Sequence, residues 1–260
     1  MSVDPKKHLG QHFLVDENIS RKIVDQFSGH EGCSTVLEIG PGMGAITKYF
    51  LEDDSIELHV MEVDRESVAY LTRNFPQLKE RIHQKNFLKT DFSIIFGSSP
   101  FAVVGNFPYN ISSQILFKCI QYRNQIPEIM GMFQKELVER ISAPPGTKQY
   151  GVLNVLLQTY YDIEYCFTVE PTVFNPPPKV KSGVIRCLRN ERKSLQVDEQ
   201  LYEKIVKTTF SQRRKTIRNT LKSIVDVNEL PDHPYLSLRP ERLSIENFIE
   251  LTGLVTSWKK

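Results

Sequence analysis

Asn106, Phe107, Pro108 and Tyr109 stand directly after the β-rich run Phe101 to Val104 and before an apolar stretch opened by Ile111-Ser112-Ser113. These residue types can handle a flat ring that carries an exocyclic amine. The Asn106 side chain and a neighbouring backbone carbonyl can accept both amine hydrogens. Pro108 stiffens the turn, and Tyr109 offers a face on which the ring stacks. Asn and Pro are also ordinary residues of a β-to-helix turn, so the loop alone does not decide. Its place adds weight, because open α/β sheets bind ligands at the carboxyl ends of their strands.

A second constellation precedes it. The strand-like run Thr35 to Ile39 passes into Gly40-Pro41-Gly42-Met43-Gly44, and a helix carrying Ile46, Tyr49, Phe50 and Leu51 follows. Glycines there let backbone approach a ligand closely, and a helix start favours polar groups. Glu62 ends the next strand about twenty residues on, where a carboxylate accepts both hydroxyls of a ribose. Gly40, Gly42 and Ala45 also satisfy a dinucleotide pattern, so the glycine loop by itself admits NAD. The Asn106 loop separates the two cofactors. Hydride transfer has no need of an amide beside a stacking tyrosine, whereas methyl transfer to an aromatic amine does. The lone pair of such an amine is delocalised into its ring, and accepting its hydrogens localises the pair and aims it at the donor. Orientation and electrostatics then carry the reaction, with no obligatory general base.

The elements that must position these groups alternate along the chain. Strands are expected at residues 35–39, 56–63, 82–84, 101–104 and 129–133. Helices are expected from Asp16, around residues 46–51, over 67–74 and over 112–122. Such alternation implies a Rossmann-like α/β fold with a doubly wound, mostly parallel sheet. Tyr161 to Val169 and Ser182 to Leu188 read as further strands, and Phe174-Asn175-Pro176-Pro177-Pro178-Lys179-Val180 as an extended connector. Beyond the polar run Asn190-Glu191-Arg192-Lys193 the pattern turns helical: Leu201, Ile205 and Thr209 share one face, Ile245, Phe248, Ile249 and Thr252 another. The expected division is residues 1–189 as an α/β domain and 190–260 as a small C-terminal α-helical domain. Lys6 to Leu14 reads as a frayed end or, since Phe13 and Leu14 are apolar, as a lid over a ligand.

Composition sets limits. With 260 residues, 40% hydrophobic and 25% charged, the chain has the make-up of a globular protein with one large core or a core and an appendage. A net charge of +2 is too weak to name a polyanionic partner by itself. No apolar run reaches membrane-spanning length and the first residues lack a signal-peptide segment, so the cytoplasm is expected, with no membrane partner. Cys33, Cys119, Cys166 and Cys187 are widely spaced and form no CxxC pair, which points to reduced core thiols and no metal.

Gly10-Gln11-His12-Phe13-Leu14, Glu38-Ile39-Gly40-Pro41-Gly42, Gly105 to Ser112, Phe174-x-Pro176-Pro177-Pro178-Lys179-Val180-x-Ser182 and Gln212-Arg213-Arg214-Lys215-Thr216-Ile217-Arg218-Asn219 occur in order along nearly the whole chain. In these stretches the sequence resembles the KsgA family, the small-subunit rRNA adenine dimethyltransferases. The resemblance implies a class I S-adenosylmethionine methyltransferase without a metal. It dimethylates two adjacent adenosines in a hairpin loop near the 3′ end of small-subunit (16S) rRNA, on the assembling 30S particle, as a monomer. It places His12 and Leu14 over the cofactor, Gly40 at its methionine part, Gly42 among the cofactor-binding residues, Glu62 on the ribose and Asn86 at the adenine. Asn106 meets both cofactor and target amine, Pro108 shapes the loop, and Tyr109 and Phe174 sandwich the target base. On this mechanism only the ring face of Tyr109 acts, so Tyr109→Phe is expected to be mild. Two residues depart from the family's habit: His12 replaces a frequent Asn, and Asn86 a usual Asp.

Lys207, Arg213, Arg214, Lys215 and Arg218 crowd a stretch with almost no acid. Beside a base-modifying domain they read as a phosphate-contact surface rather than a merely solvated face. Two other functions compete: a non-catalytic RNA-binding assembly factor of the same fold, and a large-subunit rRNA adenine methyltransferase of the macrolide-resistance type. The intact glycine loop, Glu62 and Asn106 argue against the first. The triple-proline segment and the 212–219 segment argue against the second.

Overall fold

The computed structural model describes residues 3–226 and 232–258, and the chain divides into two compact units. One comprises Met1–Val138 with Asp162–Arg189, the other Glu139–Tyr161 with Asn190–Lys260.

In the first unit, β1 (Phe13–Leu14) leads into α1 (Glu17–Val24), whose N-cap Asp16 accepts the Ile19 N–H at 3.0 Å. There follow β2 (Thr35–Ile39), α2 (Thr47–Phe50), β3 (Glu57–Met61), α3 (Arg65–Asn74), β4 (Ile82–His83) and α4 (Ser93–Phe96). Next come β5 (Ala102–Asn106), α5 (Ser112–Gln121), β6 (Glu128–Gln134) and α6 (Lys135–Ile141). After α7 (Val152–Tyr160), the chain forms β7 (Tyr161–Val169), β8 (Phe174–Asn175) and β9 (Ser182–Arg189).

Seven strands pair in the order β4-β3-β2-β5-β6-β9-β7. All pairs from β4 to β6 are parallel, and β9 runs antiparallel to β6. The expected mostly parallel, doubly wound sheet is present. Val36, Leu37, Val103, Val104, Ile129 and Met130 are fully buried, as strands covered on both faces require. The strand order reverses between β2 and β5, which opens a crevice beyond their carboxyl ends. There β5 continues past the expected end at Val104, since Gly105 pairs with Gly131 and Asn106 with Met132. A Cβ on Gly105 would lie 2.7 Å from the Ile39 carbonyl, so only glycine lets β5 run this close to β2. Asn106 thereby sits on a paired strand rather than a free loop.

The short strand β1 pairs antiparallel with β8, Phe13 opposite Asn175 and Leu14 opposite Phe174. Residues 13–14 are therefore docked on the connector, which satisfies the apolar side chains that suit a loose tail poorly.

The second unit is helical: α7, α8 (Glu199–Ser211), α9 (Ile217–Leu221) and α10 (Ile245–Trp258) pack together. Leu201, Ile205 and Thr209 of α8 are buried as expected. On α10 the buried stripe is Phe248, Leu251, Thr252 and Val255, while Ile245 and Ile249 are half-buried at its margin. The expected boundary at residue 190 is one of the crossing points between the units, but 139–161 falls with the helices, not with the α/β unit. The cause is α7, which is buried nearly all round and whose Thr159 hydroxyl bonds the Tyr202 hydroxyl of α8 at 2.7 Å. Such a helix leaves no amphipathic stripe to read.

Candidate active site

A cavity of about 240 Å³ opens at the crevice, walled by the segments after β2, β3 and β5 and by residues 8–14. His12, Leu14, Gly40, Gly42, Glu62, Asn86, Asn106, Pro108 and Tyr109 all line it. Its walls belong to the first unit alone.

Gly42 adopts φ +56°, and a Cβ there would come 2.8 Å from the Phe13 ring. Glycine thus allows both the left-handed turn and the close approach of residues 8–14. The Gly42 N–H donates to Glu62 Oε2 at 3.3 Å, while Glu62 Oε1 accepts the Val63 and Asp64 N–H groups at 2.7 and 2.9 Å. Burial pushes the Glu62 carboxyl up, and these backbone donors oppose the shift. Oε1 is saturated. Oε2 keeps a free lone pair and one long bond, so it is the atom that a diol can engage.

Glu38, at 1% exposure, is the penultimate residue of β2 on the same wall and accepts the Thr47 hydroxyl at 2.6 Å. Burial pushes its carboxyl up to about 8, with the Glu62 charge adding to the shift. The folded state therefore holds a proton that the unfolded chain releases above its ordinary value of 4.5. Unfolding then releases protons between about pH 5 and pH 8, so stability falls as pH rises through that window. Glu38→Gln keeps the Thr47 bond and removes the titration. Its melting temperature is expected to gain on the parent's from about pH 5 to pH 8, as thermal melts at both ends would show. A carboxylate inside the apolar run Thr35 to Ile39 was the available signal for this residue.

Residues 6–12 are tied down at several points. The Lys6 ammonium pairs with Asp64 and lies 3.1 Å from Glu66, and the Lys6 N–H donates to the Gln11 side chain at 2.7 Å. His12 Nδ1 donates to the Pro176 carbonyl at 2.7 Å, which leaves Nε2 the second ring nitrogen to serve. The lid reading describes this segment better than a frayed end. Lys6 was missed because its acids lie 58 residues away for Asp64, beyond local pattern.

Asn106 Nδ2 donates to the His12 carbonyl at 2.9 Å. That bond orients the amide and leaves Oδ1 as an acceptor on the cavity wall. In the loop, the Pro108 carbonyl already accepts the Ile111 N–H at 3.2 Å and the Ser112 hydroxyl at 3.0 Å. Among the described residues no donor reaches the Phe107 carbonyl. Tyr109 is half-buried; its ring lies against the His12 imidazole, centroids 5.7 Å apart and planes at 26°. Its hydroxyl is 2.6 Å from Ser182 Oγ, so the phenol tip is not idle as the mild Tyr109→Phe expectation assumed.

Two assignments shift. Asn86 is exposed and its Oδ1 accepts the Leu88 N–H at 2.9 Å, which commits half of the acceptor capacity it was given for an adenine amine. Phe174 does not reach the cavity. It is 4% exposed within the unit's hydrophobic core, opposite Leu14, where burial is worth about 1.5–3 kcal/mol. The ring that faces Tyr109 is His12.

The family model described as ribosomal RNA adenine dimethylase matches residues 3–233. The chain belongs to the ribosomal RNA adenine dimethylase family. Among curated relatives, the ribosomal RNA small subunit methyltransferase A of Cytophaga hutchinsonii is 52% identical over 254 residues, covering 98% of each chain. The protein of the same name from Parabacteroides distasonis is 53% identical over 252 residues, 96% of this chain and 93% of the relative. A dimethyladenosine transferase from Plasmodium falciparum shares the fold, with a TM-score of 0.78 and 23% identity over 95% of this chain and 98% of that one.

In this dimethylase the basic run lies in the helical unit, and its members differ. Arg214 and Lys215 are exposed, while Lys207 pairs with Glu203 at 2.7 Å and Arg218 lies 3.6 Å from Asp232. Arg213 is committed: its guanidinium donates to the Lys148 and Thr147 carbonyls at 2.6 and 3.0 Å and lies 3.7 Å from Glu241. It holds the 147–148 turn, so its donors are not free for phosphate. Among the described residues no helix is long and apolar enough to cross a membrane.

Proposed function

We propose that this chain transfers methyl groups from S-adenosylmethionine to the exocyclic amines of two adjacent adenosines in the loop near the 3′ end of small-subunit rRNA. The observation that carries the reading is the Asn106 amide, whose Nδ2 is held by the His12 carbonyl so that Oδ1 is left to accept an amine hydrogen. The name shared by relatives about half identical over nearly the full chain supports the small subunit as substrate.

The cavity suits the cofactor: a carboxylate lone pair at Glu62 for a ribose, a backbone glycine loop, and apolar walls interspersed with polar side chains such as Gln11, Asn86 and Asn106. Gly40, Gly42, His12 and Leu14 would hold its methionine end, Glu62 its ribose and Asn86 its adenine. When bound it supplies an electrophilic methyl on a sulfonium centre. Asn106 Oδ1 and the Phe107 carbonyl accept the two hydrogens of the target amine, and this localises the lone pair toward the donor. The Pro108 carbonyl cannot serve, because Ile111 and Ser112 occupy it. Tyr109 stacks the base, which must leave its own stack to arrive; an unpaired loop lowers that cost. Phe174 takes no part while it stays in the core.

Incubation with labelled methyl donor and unmethylated small subunits, followed by mapping of the rRNA, tests the proposal. Label on two adjacent adenosines of the 3′ loop is the expected result. Label on large-subunit rRNA instead, or tight RNA binding without transfer, would replace it by one of the rival readings.

We further assign the helical unit to rRNA phosphate contact through Arg214, Lys215, Lys207 and Arg218. Arg214→Ala with Lys215→Ala is expected to lower the log–log salt slope of subunit binding by about one for each lost contact. Arg213→Ala is expected to lower the melting temperature instead, since it strips two carbonyls of their donor. Equal slopes in parent and double variant would return Arg214 and Lys215 to a solvated face.

A further inference from the structure

Ser182 closes the Phe174-to-Ser182 segment and has no role in the chemistry described so far. We propose that Ser182 is the positioning residue for Tyr109: its hydroxyl holds the phenol tip and so sets the plane on which the target base stacks. The inference rests on the adenine-methylation reading and adds to it a residue that does not touch substrate.

The geometry of the anchor is specific. Ser182 Oγ and the Tyr109 hydroxyl are 2.6 Å apart, and Ser182 is 0% exposed at the first position of β9. Its backbone pairs with Gln134 of β6, and β6 in turn pairs with β5 through Met132 and Asn106. The acceptor amide and the phenol anchor are thus referenced to the same strand. Tyr109 itself starts a three-residue helical turn, Tyr109–Ile111, none of whose own residues is buried. The His12 ring that stacks on it is held by the same connector through the Pro176 carbonyl. The segment from Pro176 to Ser182 therefore tethers both aromatic rings at the mouth of the Asn106 loop. This accounts for a motif whose first aromatic, Phe174, is in the core. Burial also pushes the Tyr109 hydroxyl above its usual range, so it stays protonated and suits an anchor rather than a base.

Without the bond at its tip the ring can turn about its side-chain bonds at the cavity mouth, and misplacement of about 1 Å is enough to slow a positioned reaction strongly. A double-mutant cycle reads this out. Tyr109→Phe, Ser182→Ala and the double variant are compared in kcat, at saturating methyl donor and saturating small subunits. Each single change is expected to lower kcat about tenfold with cofactor affinity unchanged, and the double variant to be no worse than either. A 2-aminopurine at the target position should lose the quenching that stacking causes, equally in all three. Unchanged kcat in Tyr109→Phe, or losses that multiply in the double variant, would overturn the anchor. If Ser182→Ala fails to fold, Tyr109→Phe removes the same bond from the half-exposed side, and its kcat and quenching decide alone. A parent enzyme that leaves the small subunit unmethylated would sink the adenine reading. An active parent with an unaffected Tyr109→Phe sinks only the role of Ser182.

Discussion

Replacing Asn106 by alanine is expected to reduce methyl transfer about a hundredfold or more, as loss of one preorganised polar group at a reacting centre does. The fold should survive, because β5 is held by its backbone pairing with β6 rather than by the amide. The variant does remove the bond to the His12 carbonyl, so residues 8–14 lose one of their ties. Others remain, among them the Lys6 pair with Asp64, the His12 bond to Pro176 and the β1–β8 pairing. Because Asn106 also lines the cofactor cavity, the comparison belongs at saturating methyl donor, where the loss appears in kcat. A variant that keeps kcat and loses only affinity for the donor would reassign Asn106 to cofactor binding. Asn106→Asp separates the two roles further. It keeps an acceptor but removes the donor to His12, and it places a negative charge beside the His12 carbonyl.

Glu62→Ala is the second large effect. A hydrogen bond to a charged group contributes about 1.5–3 kcal/mol, so the dissociation constant for S-adenosylmethionine should rise by roughly ten- to a hundredfold. Part of the loss is indirect. The carboxylate gathers the Gly42, Val63 and Asp64 N–H groups, and without it three backbone donors lose their acceptor. Glu62→Gln distinguishes the contributions: its carbonyl oxygen can keep one side of this cradle, while its amide nitrogen cannot accept from a ribose hydroxyl. Calorimetric titration should therefore show a marked loss of affinity in Gln as well as in Ala. Equal affinity in parent and Gln would mean that Glu62 builds the turn and touches no diol. Tighter binding of NAD than of S-adenosylmethionine by the parent would remove the methyltransferase reading altogether.

Much of the unit that holds the cavity was legible in order along the chain. Strand-to-helix alternation, buried apolar runs and the glycine loop are local patterns, and each marks backbone geometry within a few residues. Glu62 was legible for the same reason: it directly follows β3, and in a parallel sheet strand ends converge on one edge. Where β5 ends was not, because Gly105 and Asn106 look like turn residues until Gly131 and Met132 are seen to pair with them. Nor was the company of α7, since a helix buried on all sides carries no stripe, and its partners lie beyond residue 198. Residue types marked Arg213 as a phosphate ligand, and the family resemblance marked Phe174 as a stacking ring. Contacts distant in sequence redirected both, to the Thr147 and Lys148 carbonyls and to the core beside Leu14. The pairing of Tyr109 with Ser182 spans 73 residues and is of this kind. Sequence determined which chemical groups the chain owns and which strand ends carry them. Tertiary structure decided which donors and acceptors were already spent on one another, because a hydrogen bond between distant segments leaves no periodicity in either.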